Sequence, residues 1–489
     1  MEPDTTGLRC QNAEHDPPPL PKDAMPTTPP HGQGEAPPLG RSFHRFWTGS
    51  LASNLADGVM LTALPLLAAA LTQDPLAVSA LTAARYLPWL LFGLFAGALV
   101  DRVDRVRAMV GANLLRAAAI VVLAVLTATG HAGVALLCAV MFTVMTCEIV
   151  YDLAGRALLP ALARGSVDRA NGRLVAGREV MEEFVGAPTA GFLFVVAAAL
   201  PLAVNAGAYV LGAVVLLGLP AAVRRPTTVR RSPGRPGGNG VDGAADGTGG
   251  GAAGGTGGAS GDTTGAAPRT GAVRSVLRDV GEGLRFIFRD PPLRGLVLFS
   301  SAVNLAAGAQ LAVFVLLVRT HFGVPEALYG VFLAVAAVGA IGGAVLASRV
   351  GARLGRFRGI VGGFLGQAGL CAVFALAPGP VVAALAWALV AAASTLAATL
   401  SSGVLQQIVP ERLLGRVMGA RRMLGVGLIP VGALVGGALG RIDLRLPLLF
   451  AAAVFAVATL LALRHLRTTS ERADEAERTA RREASGAAE

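Results

Sequence analysis

The chain has 489 residues, of which 53% are hydrophobic and 15% charged, and its mean hydropathy is +0.60. A soluble core of this size cannot hide so much apolar surface, so a water-soluble globular protein is excluded and a membrane protein is expected. The net charge of +11 rests on 42 cationic residues, all Arg except Lys22; they fall in short groups between apolar runs rather than on one face of a polar domain, which marks topology and implies no nucleic-acid partner.

Residues 1–42 are polar and Pro-rich and are expected to form a disordered cytoplasmic tail. The first apolar run, "MLTALPLLAAAL", follows too late to belong to a secretory signal. Windows of about 20 apolar residues, the length that crosses ~30 Å of hydrocarbon, then fall near 47–72, 76–100, 108–129, 133–155, 173–199 and 201–223. The stretch 226–270 is Gly, Ala, Thr and Pro with almost no large apolar residue, as in a flexible cytoplasmic linker. Within 271–292, "RSVLRDVGEGLRFIFRD" alternates Arg with Leu, Val and Phe at helical spacing, as in an amphipathic segment lying at the membrane interface. Six further windows follow near 293–318, 327–348, 358–377, 380–404, 421–440 and 446–466, and 467–489 reads as a charged cytoplasmic tail.

The resulting fold class is an all-α membrane protein with twelve transmembrane helices in two pseudo-symmetric six-helix halves, 43–225 and 293–466. Nearly all the Arg residues lie in alternate connections, so both termini are expected in the cytoplasm and the chain in the plasma membrane. The halves also repeat: "SNLADGVML" (53–61) aligns with "VNLAAGAQL" (303–311), and "GRLVAGR" (172–178) with "GRVMGAR" (415–421). Duplicated halves around a midplane site are a transporter architecture.

Between the second and third windows stands "GALVDRVDRVR", with Gly97, Asp101, Arg102 and Arg105 at fixed spacing. This loop resembles the signature loop of the major facilitator superfamily. The likeness extends to "FHRFWTGSLASNLADG", "SALTAARYLPWLLFG", "EIVYDLAGRALLP" and "VPERLLGRVMGARRM", and covers roughly 43–466. Within the family the chain is most similar to bacterial exporters that include enterobactin exporters and macrolide efflux proteins. The resemblance implies a cytoplasmic gate in which Asp101 faces the end of the eleventh span and Arg105 pairs with Asp152. Asp104 stands where the family has Gly, and the second-half copy, "SRVGARLGR", lacks the acid that matches Asp101.

Charges inside the hydrocarbon cost ~2.5–3.5 kcal/mol even on lenient scales, so each needs a reason. Asp57 and Glu148 lie at equal depths in the first and fourth windows, about 22 Å from the outer ends at 1.5 Å per residue. A carboxyl shielded there from bulk water can bind and release a proton, which makes both residues proton-coupling candidates. Partnership of Asp57 with an Arg such as Arg85, and of Glu148 with Arg116 or Arg105, is the structural alternative. Arg178 and Glu182 are spaced for an ion pair within one helix. Arg85, Tyr86, Glu179, Glu182, Glu183, Asn304 and Gln310 are candidates for a substrate cavity. Pro188 and Gly191 in "APTAG" keep part of a Gly-Pro-x-x-Gly motif that the family's antiporters carry in the fifth helix.

The four Cys and six His lack ligand spacing, and no nucleophile with its base is visible. No metal, cofactor or enzymatic activity is therefore expected. The expected function is secondary-active export of a small amphipathic molecule (drug, secondary metabolite or siderophore) against inward proton flow by alternating access, the chain acting as a monomer with the small molecule, protons and the lipid bilayer as partners. An importing symporter or uniporter, and a scaffold or sensor that keeps a transporter fold without transport, are the alternatives.

Overall fold

Within a bilayer each backbone N–H and C=O has to be satisfied within a helix or a closed barrel, and continuous apolar runs of Ala, Leu and Val lack the alternation of barrel strands, so they are expected to be helical. In the computed structural model, which describes residues 39–92, 103–163, 166–220, 281, 285–409 and 411–486, they are helices. The first half contains α1 (Arg41–Leu71), α2 (Pro75–Phe92), α3 (Arg105–Ala128), α4 (Val134–Ala163), α5 (Val167–Glu179), α6 (Ala187–Val196) and α7 (Leu200–Leu217). The second contains α8 (Pro291–Ala312), the single turn α9 (Phe314–Leu316), α10 (Glu326–Leu354), α11 (Arg356–Ala375), α12 (Pro380–Ile408), α13 (Glu411–Gly440) and α14 (Leu446–Gly486). Eleven of the described helices are long and apolar enough to cross a membrane. The twelfth crossing is α5 and α6 joined by a π-helical segment, Val180–Gly186, which breaks one span into shorter pieces.

Close backbone approach shapes both halves alike. A Cβ on Gly58 of α1 would lie 2.6 Å from Cα of Glu182 in the π segment, and one on Gly308 of α8 would lie 3.1 Å from N of Ala433 in α13. The residues aligned by the sequence repeat thus occupy equivalent helix crossings. Gly432 and Gly436 serve the same purpose, facing the backbone of Leu305 and Ala309. Asp104, the departure from the family loop, caps α3 by accepting a hydrogen bond from the Arg107 N–H at 3.0 Å.

The connections 72–74, 129–133, 197–199, 322–325, 376–379 and 441–445 gather at one end of the bundle, which holds few Arg. At this Arg-poor end α2 packs on α13, and α6 packs on α10. One continuous apolar core runs through both halves there, from Met60 and Leu67 to Phe314, Phe374 and Trp387. Toward the Arg-rich end the apolar packing divides. Phe43, Phe46, Met109 and Leu158 form a cluster within the first half, and Phe299, Phe364, Val404 and Leu466 form another within the second. Among the described residues, the halves are therefore joined at the Arg-poor end and packed into separate apolar clusters at the other.

Beyond its membrane crossing α14 runs on as one helix to Gly486, so the described part of 467–489 is helical. It is held to its own half: Arg356, the first residue of α11, lies 3.3 Å from Asp474 and 2.5 Å from Glu477, and Arg472 donates to Asp290 at 2.7 Å. Of the expected interfacial segment, 285–289 is helical, with Ile287 buried in the second-half cluster and Phe288 exposed. Residues 1–38 of the expected N-terminal tail and the whole of the expected linker, 226–270, lie outside the described residues.

Candidate functional site

The first half encloses a group of charged side chains contributed by five helical segments. At its centre is Arg116 of α3, the largest fully buried side chain among the described residues. Its guanidinium is paired with Glu148 of α4, and its Nη1 lies 3.7 Å from Oδ1 of Asp57 in α1. It also lies over two aromatic rings, with Cζ 5.3 Å from the Tyr151 ring centroid and 5.2 Å from that of Tyr209. Asp57 receives its hydrogen bond from the Tyr209 hydroxyl at 2.6 Å, not from an Arg.

Arg178 of α5 forms the second centre. It lies 3.6 Å from Glu148, 3.5 Å from Asp152 and 2.7 Å from Glu182 in the π segment. Arg156, which is mostly solvent-exposed, reaches Asp152 at 3.7 Å. Four carboxyl groups, Asp57, Glu148, Asp152 and Glu182, thus face three guanidiniums. With every one of these groups ionised, one negative charge would stay uncompensated among the described residues, a state that a proton or an entering cation relieves.

Two cavities border this network. One, of about 220 Å³, lies where the halves meet and is lined by Arg85, Tyr86, Glu182, Glu183, Phe314 and Tyr329, together with aliphatic side chains of both halves. The other, also about 220 Å³, lies toward the Arg-rich end between α1, α4 and α5, with Asp152, Arg156 and Arg178 in its wall. The charged cluster therefore stands between two spaces, with Glu182 facing the first and Asp152 the second.

Several expected placements come out differently. Arg105 does not pair with Asp152; it donates to the Ala157 carbonyl at 2.8 Å, while Arg178 and Arg156 hold Asp152. The reason is reach: Arg105 opens α3 beside the last turns of α4, closer to the main chain there than to a carboxylate deeper in that helix. Arg85 is not the partner of Asp57 and lies over the face of Tyr86. Glu179 is exposed and lies outside the inter-half cavity. Asn304 is turned back on Ser300, whose carbonyl accepts from its amide at 2.8 Å. Gln310 is buried against Cys371 of α11 and also lies outside this cavity. Pro188 and Gly191 meet α10, a Cβ on Gly191 falling 2.9 Å from the Glu326 carbonyl oxygen. Gly97, Asp101 and Arg102 lie outside the described residues.

Tyr151 and Tyr209 carry no functional signal in the sequence, and Arg116 stands out there less than the buried acids do. The signal for Arg116 was there, a single charge within the apolar run of 108–129.

At the Arg-poor end a second ion pair bridges the halves. Arg441, just after α13, donates through Nε and Nη2 to both oxygens of Asp74, just before α2, each at 2.7 Å. These hydrogen bonds hold the Asp74 carboxyl down at about 2, and a backbone bond from Leu76 adds to the effect. Close approach of α13 to α2 is possible because Gly440 stands there; a Cβ would lie 2.9 Å from Cβ of Pro75.

The sequence profile described as the Major Facilitator Superfamily matches residues 46–428. No curated protein sequence matches the chain. Among solved structures, the fold is similar to a point mutant of the nucleoside transporter NupG, with a TM-score of 0.67, 11% identity, and coverage of 87% of this chain and 99% of that one. A bacterial homologue of the iron transporter ferroportin, solved in an inward-facing state, aligns with a TM-score of 0.61 at 16% identity over 89% of this chain and all of the other. A bacterial homologue of the human lysosomal transporter Spinster, inward-facing and unoccupied, gives 0.53 at 16% identity over 90% and 96% of the two chains. At these identities the likeness is one of fold.

Proposed function

The chain belongs to the Major Facilitator Superfamily and is a multi-pass membrane transporter; from that premise we propose that it exports small amphipathic molecules in exchange for protons. The observation that carries this reading is the charge network between two cavities. Four carboxyls against three guanidiniums leave a place for a proton. Asp57 is the proposed carrier, because a neutral tyrosine hydroxyl rather than a guanidinium holds its oxygen. Glu148 lies between Arg116 and Arg178 and links Asp57 to the Glu182 side of the network.

Export, rather than uptake, is supported by the quoted likeness to bacterial drug and siderophore exporters and by Pro188 with Gly191 in the fifth span. With the Arg-rich connections taken as cytoplasmic, the protein sits in the plasma membrane with both termini inside, and the shared apolar core of the described residues lies toward the outer end. In the outward-open state the loop of Gly97, Asp101, Arg102 and Arg105 closes the cytoplasmic end, and Asp74 with Arg441 holds the opposite end in the present one. The working unit is a monomer. The test is to profile a strain lacking the protein against a panel of amphipathic compounds while measuring intracellular accumulation. At least one compound accumulates in the deletion strain and is cleared on complementation; lower accumulation in the deletion strain would mean uptake.

A further inference from the structure

The inter-half cavity contains two charges of opposite sign that the network does not use. Glu182 is committed to Arg178 at 2.7 Å, but Glu183, next to it in the π segment, forms no ion pair or hydrogen bond with another described residue. Arg85 of α2 likewise has no carboxylate partner among the described residues and rests on the face of Tyr86 at 5.3 Å. Both are half-buried. The remaining wall is aliphatic and aromatic, with Leu61, Leu81, Met141, Phe314 and Leu333 among its residues.

An isolated charge in such a wall is costly, and two opposite ones within reach of each other normally collapse into an ion pair. Here they form no ion pair with each other, although Arg85 stands near enough to attract the Glu183 carboxylate across the cavity wall. An occupant carrying one charge would pair with one residue and leave the other desolvated without a partner. An occupant carrying both would satisfy both, with its body against the aliphatic and aromatic side chains.

We propose that the substrates of this cavity are zwitterions, with an ammonium group that faces Glu183, an anionic group that faces Arg85, and a compact apolar or aromatic body. The proposal rests on reading the cavity as the substrate site and is independent of proton coupling. It also places selectivity on an adjacent pair, Glu182 for coupling and Glu183 for the substrate, brought to one wall by the π-helical turn.

The experiment uses full-length protein in lipid nanodiscs and calorimetric titration with 4-phenylphenylalanine, its ω-amino analogue with the two charges further apart, the methyl ester as a cation and the N-acetyl derivative as an anion. At least one zwitterion should bind roughly tenfold or more tightly than either singly charged form, the scale of one charge-assisted hydrogen bond. Glu183→Gln should reduce zwitterion affinity to that of the N-acetyl form, and Arg85→Gln to that of the ester, with thermal melting showing that both variants are folded. Ester binding as tight as the zwitterions makes this a cation site, equal binding of the N-acetyl form makes it an anion site, and absence of binding by the whole series also overturns the proposal. No pH gradient is applied, so a protein that binds zwitterions without proton-driven export refutes only the coupling. One that exports other compounds and ignores the series refutes only the substrate class.

Discussion

Replacing Arg116 with Met keeps most of the side-chain volume and removes the charge at the centre of the network. Glu148 would then keep only Arg178 at 3.6 Å, and Asp57 would lose the cation 3.7 Å away, both within a nearly water-free interior. Breaking a buried ion pair from one side costs about 3–5 kcal/mol, most of it from the stranded charge rather than the lost attraction. The two tyrosine faces lose a cation but keep a polarizable neighbour in Met, so their change is smaller. The assay is thermal unfolding of the purified protein in detergent, where Arg116→Met should melt several degrees lower at neutral pH. Because the cost lies in uncompensated carboxylate, adding Glu148→Gln should recover more than half of it, and the loss should shrink as falling pH supplies protons. A double-variant cycle isolates this coupling. An Arg116→Met protein that melts within about 1 kcal/mol of the parent, or a double variant no more stable than the single one, would refute the reasoning.

Three further outcomes follow from the inter-half and tail contacts. Asp74→Asn should release the Arg-poor end and raise labelling of a single Cys at Leu81 in the cavity. The Asp74 carboxyl is held below its ordinary value, so the contribution of its bond to Arg441 is fully present above about 3.8 and is lost only as pH falls through about 2; in the parent, labelling should not change between about pH 5 and 8 on this account. Gly330→Val places carbon on the backbone of Ala187 and Pro188 across the halves, so it should force the same end apart and abolish transport, with the Leu81 probe again reporting. Arg356→Gln should loosen the α14 extension from Asp474 and Glu477, partly exposed pairs worth ~0.2–1 kcal/mol each, which tryptic cleavage within 467–486 would register as a faster cut.

The membrane makes some of this legible in sequence. A span has to be apolar for about 20 residues, so the windows of both halves mark where helices lie. The fifth crossing also has its window, 173–199, but the break into α5, the π segment over "VMEEFVG" and α6 leaves no trace in it. Depth in the bilayer also follows from counting along a helix, and Asp57 and Glu148, singled out that way, share Arg116. Lateral partnership is different, because it depends on how helices turn and cross. Tyr209 reaches Asp57 across 152 positions and Arg356 reaches Glu477 across 121, separations for which periodicity has no signal. The charge pattern of 467–486 looks like a solvated tail because its partners Arg356 and Asp290 lie elsewhere in the chain. Arg105 has the spacing of a gate residue, yet here it bonds a carbonyl.

Proton-driven accumulation in proteoliposomes with an imposed pH gradient tests the central claim most directly. Inward proton movement supplies ~2.3 kcal/mol per charge for each 100 mV, which can drive export only if a group in the protein binds protons from each side in turn. With the parent protein, substrate should move uphill against the proton gradient. Asp57→Asn should abolish that uphill movement while downhill exchange continues, and Glu148→Gln should weaken its pH dependence. Uphill transport by Asp57→Asn with the parent's proton dependence, or a parent protein indifferent to the gradient, would contradict the account.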